Sequence, residues 1–85
     1  MIEEVKLVKI GLTMETGKIV LWHKKEGDYI QEGEPFFDVE TDKATQTVES
    51  FHTGHIKKLL VQPDEEVAVN TTIALIGDKD DPVPQ

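Results

Sequence analysis

The chain of 85 residues contains no cysteine, which excludes a disulfide framework, a thiolate metal site and any thiol chemistry of the protein's own. A part in redox or acyl-transfer chemistry would need a borrowed reactive group. Long apolar runs are missing too: none approaches the ~18 residues of a membrane span, and the opening MIEEVKLVKI is too acidic and too interrupted for a signal peptide. Cations are few, nine against seventeen Asp and Glu, for a formal net charge of -8. That balance argues against nucleic acid and anionic membranes as partners, since both would be repelled, and favours a partner with a basic surface. The expected setting is the inside of a cell. What is present is the apolar content of an ordinary globular domain, in a chain long enough for one compact unit with one modest core.

The chain repeats itself. GKIVLWHKKEGDYIQEGEPFFDV, from Gly17, aligns without a gap on GHIKKLLVQPDEEVAVNTTIALI, from Gly54, at an offset of 37 residues. Ile19 meets Ile56, Trp22 meets Leu59, Ile30 meets Val67, Phe36 meets Ile73 and Val39 meets Ile76; Gly33 meets Asn70, both tolerant of positive φ. Within each half, short Val-, Ile-, Phe- and Thr-rich stretches alternate with EGD, EGEP, PDEE and VNTT, which is turn chemistry, and no 3.6-residue period persists. Strands are expected near 4–9, 17–23, 29–31, 35–40, 44–49, 54–61, 66–69 and 72–77. Eight short strands in two similar halves predict an all-β flattened barrel or sandwich of two four-stranded antiparallel sheets with internal two-fold pseudo-symmetry. Ile19, Trp22, Ile30, Phe37, Val39, Val48, Ile56, Leu59, Val61, Val67, Ile73 and Ile76 should fill its core. Residues 1–78 form the domain, and 79–85, acidic and proline-containing, read as the start of a linker.

Several constellations could bear chemistry. HTGH sets His52 and His55 three apart, but no third ligand clusters near them, so no metal site is expected. His23, Asp28 and Ser50 can be arranged on paper as a triad, yet nothing resembles a nucleophile elbow, and so small a β domain offers little pocket for catalysis. PDEE, residues 63–66, reads as a solvated turn matched by EGDY in the first half. That leaves Lys43, in the hairpin ETDKAT at the junction of the halves, where a type I turn centred on Asp42 and Lys43 needs no glycine. An exposed turn lysine is ordinary by itself; its surroundings are not.

VETDKA at a hairpin, EGD 16 residues before the lysine, GLTMETGKIVLWHKKEGDYI ahead of it, SFHTGHI just after it and VQPDEEVAVNTTIALI at the close together resemble the lipoyl domain of the 2-oxo acid dehydrogenase multienzyme complexes, from about Val5 to Gly77. The family fold is a barrel-sandwich hybrid of two four-stranded sheets, which agrees with the strand reading. The resemblance implies a non-catalytic carrier from the N-terminal part of a dihydrolipoamide acyltransferase subunit. Lys43 inherits the attachment of lipoic acid through an amide bond. A swinging arm of that kind takes an acyl group and two electrons from a thiamine-diphosphate decarboxylase, passes the acyl group to coenzyme A at the acyltransferase core, and is reoxidised by a flavin-containing dihydrolipoamide dehydrogenase. The absence of cysteine then has a reason, because the cofactor brings the sulfur.

Partners implied by the resemblance are these three enzymes and the lipoate ligase or lipoyl synthase pathway, with the isolated domain monomeric, in a bacterial cytoplasm or a mitochondrial matrix. Asp42 and Ala44, with Glu40 and Thr41 before them, would help ligase and partners recognise the lysine. GLTMETG resembles the family's loop beside the lipoyl-lysine, which makes Leu12, Thr13, Met14 and Glu15 recognition candidates, and the methionine-containing LTME resembles pyruvate or acetoin dehydrogenase domains more than oxoglutarate or branched-chain ones. Val8 departs from the proline that many relatives carry before K-I-G. Two rivals share the fold. A biotin carrier typically has methionines on both sides of its lysine, where this chain has Asp42 and Ala44; an unmodified hybrid-barrel adaptor module lacks the lysine motif.

Overall fold

The computed structural model describes residues 2–9, 15–41 and 44–81. Eight strands follow one another: β1 (Glu3–Lys6), β2 (Thr16–Trp22), β3 (Tyr29–Ile30), β4 (Pro35–Glu40), β5 (Thr45–Glu49), β6 (Gly54–Leu59), β7 (Glu65–Ala68) and β8 (Thr72–Gly77). They form two four-stranded sheets of order β1-β8-β6-β3 and β5-β4-β2-β7, every pairing antiparallel. Advancing each strand of the first sheet by four, cyclically, reproduces the order of the second, so the 37-residue repeat in sequence is a two-fold relation in space. The correspondence reaches single hydrogen bonds. Gly27 N donates to Ile56 O and Asp64 N to Ile19 O; His23 N donates to Phe36 O and Leu60 N to Ile73 O.

Turn chemistry follows the same relation. Gly27 and Gly33 both have φ of +93°, and their counterparts Asp64 and Asn70 take φ of 70° and 73°. Asn and Asp are the non-glycine residues that tolerate the left-handed region best, so the second half makes the same turns without glycine. The halves differ at their entry. Val5 and Val48 face equivalent partners, Ala74 and Phe37, but lie 43 positions apart. Nine residues separate Lys6 from Thr16 against four between Glu49 and Gly54, so the connection into β2 is the longer one.

The core lies between the sheets. Ile19, Ile30, Phe37, Val39, Ile56, Val61, Ile73 and Ile76 are buried as the alternation predicts, and Trp22, Val48, Leu59 and Val67 pack against them partly buried. Trp22 donates from Nε1 to Val61 O at 2.9 Å, and its ring lies 5.4 Å from both Phe36 and Phe37 in tilted contact. Val5, Leu7, Phe36 and Ala74 are also buried, which simple alternation misses for Phe36 and Ala74. The register shifts between Pro35 and Phe37, a bulge of the kind that lets two consecutive side chains turn inward. Strand ends differ from the sequence reading by one or two residues, except at β1, which stops at Lys6 rather than 9. Leu7 leaves the ladder, donating from its N to Thr71 O while its carbonyl accepts from Asn70 N.

Candidate functional site

The β4–β5 hairpin closes tightly. Its pairs run Phe37↔Val48, Asp38↔Thr47, Val39↔Gln46 and Glu40↔Thr45, and Thr41 N donates to Ala44 O at 2.9 Å, with Thr41 Oγ1 donating to the same carbonyl at 3.1 Å. Asp42 and Lys43 join Thr41 to Ala44 and lie outside the described residues, as does the turn type expected for them. A two-residue connection between paired antiparallel strands is the shortest hairpin in common use. β5 is an edge strand, and Ala44 to Thr47 are all exposed, so the hairpin has one flank in solvent.

The other flank is built by β2 and β7. Glu15 is exposed just before β2, and its carbonyl accepts from Val69 N at 2.9 Å, holding the start of β2 beside the end of β7. Leu12, Thr13 and Met14 lie outside the described residues. Against the hairpin opens a groove of about 330 Å³ lined by Thr16, Lys18, Glu40, Thr41 and Glu66. Lys18 on β2 is directly opposite Glu40 on β4 and Glu66 on β7. Thr16 Oγ1 donates to Glu66 Oε2 at 2.9 Å. Of the residues that the sequence singled out, the structure therefore brings Glu40, Thr41, Ala44 and Glu15 to one end of the molecule. It adds Thr16, Lys18 and Glu66, which sequence reasoning missed; alternation places Thr16 and Lys18 outward, but only the β2–β7 pairing reveals their neighbour.

A second polar cluster occupies the same outer sheet face. Asp38 Oδ1 accepts from His23 Nε2 at 2.8 Å and from Thr47 Oγ1 at 2.7 Å. The His23 hydrogen bond, and then that of Thr47, hold the Asp38 carboxyl below its ordinary value of 3.8. Because the folded value is the lower one, ionised Asp38 stabilises the fold above about pH 4, and this contribution is lost as pH falls through the lower folded value. Asp38→Asn should destabilise the protein more at pH 7 than at about pH 2.5. Urea midpoints at the two pH values check this, and equal losses at both would contradict it.

The paper triad does not assemble. His23 is engaged by Asp38, the Asp28 carboxylate accepts from Lys25 N at 3.0 Å, and Ser50, buried, donates from Oγ to His52 O at 2.6 Å. His55 packs edge-on against Tyr29, ring centroids 5.3 Å apart. Among the described residues no group of three His, Cys, Asp or Glu is placed to hold a metal ion, and no helix is long and apolar enough to cross a membrane.

Residues 3–76 match the family described as "Biotin-requiring enzyme", the biotin/lipoyl family. The chain is 37% identical over 82 residues to a chloroplastic dihydrolipoyllysine-residue acetyltransferase component of the pyruvate dehydrogenase complex from Arabidopsis thaliana, covering 96% of this chain and 18% of the relative. It is 36% identical over 75 residues to the dihydrolipoyllysine-residue acetyltransferase component of an acetoin cleaving system from Pseudomonas putida, covering 88% and 20%. The chain thus spans about a fifth of the length of these relatives. In three dimensions it resembles the solution structure of the lipoyl domain of the 2-oxoglutarate dehydrogenase complex from Azotobacter vinelandii, with a TM-score of 0.72, 23% identity and coverage of 88% of this chain and 95% of that one. At that identity the likeness speaks to the fold.

Proposed function

The chain belongs to the biotin/lipoyl family, and from that premise we propose that it is a lipoyl carrier domain of an acyltransferase subunit, with Lys43 as the attachment residue. The observation that carries this reading is the closure of the β4–β5 hairpin at Thr41 and Ala44, which leaves Asp42 and Lys43 as its tip residues by connectivity. The family's cofactor needs a primary amine for its amide bond, on a projection narrow enough to enter another enzyme's active-site mouth. A lysine amine on such a turn, flanked by an exposed edge strand, fits that demand. When bound, lipoic acid supplies a dithiolane, a reversible carrier of acyl groups and electron pairs that a chain without cysteine lacks.

The protein's own share of the chemistry is presentation. The two sheets carry Thr41 and Ala44, the residues on either side of the Asp42–Lys43 connection, to one end of the molecule, and acylation of the Lys43 amine would remove its charge and so its hydration cost inside a partner's channel. The ends of β1 and β8 where Glu3 pairs with Ile76 lie away from the Thr41–Ala44 end of the hairpin, so a tether following β8 would attach away from the lysine hairpin and raise its effective concentration at successive active sites. Partners on this reading are a thiamine-diphosphate decarboxylase, the acyltransferase core, dihydrolipoamide dehydrogenase and the lipoylating enzymes. Relatives named for pyruvate and acetoin systems favour those complexes. Asp42, Ala44, Thr41, Glu40 and the segment Leu12 to Glu15 serve recognition.

Intact mass and peptide mapping after incubation with lipoate, ATP and a lipoate ligase test the assignment, beside a parallel reaction with biotin and a biotin ligase. A lipoyl increment confined to Lys43 is expected. A biotin increment instead would keep the fold and change the chemistry to carboxyl transfer, and no increment from either would favour an unmodified adaptor.

A further inference from the structure

The groove beside the hairpin is charged where the fold does not require charge, and the two-fold relation shows it. Lys18 faces Glu40 and Glu66 across two neighbouring strands. The equivalent position in the other sheet is His55, which faces Gly77 and Tyr29 in the same registers. Thr16 corresponds to Thr53. The same backbone at the far end is thus satisfied by a glycine and an aromatic pair, so Lys18, Glu40 and Glu66 are not needed to build the sheet.

Nor is the charge consumed internally. Among the described residues the Lys18 ammonium and the Glu40 carboxylate make no side-chain hydrogen bond or ion pair, and Glu66 is held only by the Thr16 hydroxyl. Two carboxylates face one ammonium in an open groove of about 330 Å³, on a molecule of net charge -8. The complementary occupant is a cation. Its source follows from position, because whatever takes up the hairpin tip must pass its rim across this groove.

We propose that the groove seats an arginine or lysine side chain from the entrance rim of the decarboxylase that receives Lys43, bound by Glu40 and Glu66, with Lys18 setting how strongly. This rests on the carrier reading. Charges at the edge of an interface act mainly on encounter and on choice of partner, and their effect is screened by salt. The groove therefore determines how readily the domain is found by its decarboxylase rather than how fast the bound tip reacts.

The test uses the domain, lipoylated for the kinetics, and whichever thiamine-diphosphate decarboxylase of a purified panel binds the unmodified domain most tightly. Glu40→Gln combined with Glu66→Gln should raise KM for the domain about tenfold at low ionic strength with kcat unchanged, and the difference should vanish near 0.5 M salt, where the screening length falls to a few Å. Lys18→Gln should lower KM about threefold, and His55→Gln, at the equivalent position in the other sheet, should change nothing. Thermal unfolding checks that each variant folds. Calorimetric binding of the unmodified domain to the same enzyme should show the same order of affinities, which separates the two ideas. A domain that takes no lipoyl group sinks the carrier reading while the isotherms still decide the groove. KM values and affinities within twofold of wild type for all folded groove variants at low salt would overturn the proposal.

Discussion

Lys43→Arg should fold as wild type does, take up no lipoyl group and accept no acyl group, with reductive acylation falling to background. The substitution preserves charge and approximate length, so it asks only whether a nucleophilic amine is needed at that position. A lysine amine loses a proton readily enough to attack an activated lipoyl group, whereas a guanidinium stays protonated at any accessible pH. Stability should be unaffected, since the hairpin is closed by the Thr41–Ala44 hydrogen bonds and the substitution keeps the charge of the side chain. The other eight of the nine lysines remain in the variant. Any lipoyl increment on one of them, or a Lys43→Arg protein that is still acylated, would remove Lys43 from its assigned role.

The largest loss of stability from a single small substitution should come at Gly54. This residue opens β6 opposite Ile30, at φ of +159°. A Cβ added there would lie 3.0 Å from the carbonyl oxygen of Gly77 and 3.0 Å from Ile76 Cγ2. One neighbour is backbone in the adjacent strand and the other belongs to a core side chain that is 1% exposed, so neither can give way without disturbing the sheet or the core. Overpacking of this kind costs about 3 kcal/mol, which for a domain of this size is a fall of roughly 10–20 °C in Tm. Thermal unfolding of Gly54→Ala by circular dichroism measures it. Gly27 and Gly33 have no heavy atom within 4 Å of a built Cβ, so alanine there meets only the cost of its positive φ. A loss at Gly54→Ala no greater than at Gly33→Ala would show that the close approach to Gly77 is relieved cheaply.

Much of this architecture is legible in the chain because the fold is written twice. An ungapped repeat with matching apolar positions specifies two equivalent sheets. The pairing of Gly27 with Asp64 and of Gly33 with Asn70 as turn residues needs only knowledge of which side chains tolerate positive φ. Phe36 eluded the alternation rule because a bulge adds a residue to one strand and resets which face the next one takes. Leu7 falls within the strand expected near 4–9, yet its hydrogen bonds go to the 70–71 turn of the other half. At the site, the hairpin residues Glu40, Thr41 and Ala44 were found through a local motif. The groove was not, because Lys18 and Glu66 meet only through strands 48 positions apart. The His23–Asp38–Thr47 cluster escaped for a similar reason: a bulge between Ile19 and Leu21 sets which β4 residue His23 reaches.

The pairing pattern also bears on how the domain is made. The lysine hairpin joins positions 5 to 14 apart, whereas β1 and β8 pair Glu3 with Ile76, across nearly the whole chain. A topology so rich in distant contacts predicts folding on the millisecond-to-second scale, slow for its size. During synthesis the hairpin can close as soon as Glu49 has emerged, but the β1-β8-β6-β3 sheet must wait for β8. A modifying enzyme that needs only the hairpin could act on the nascent chain; one that also reads the outer face of β2 and β7 must wait until β7 has docked on β2.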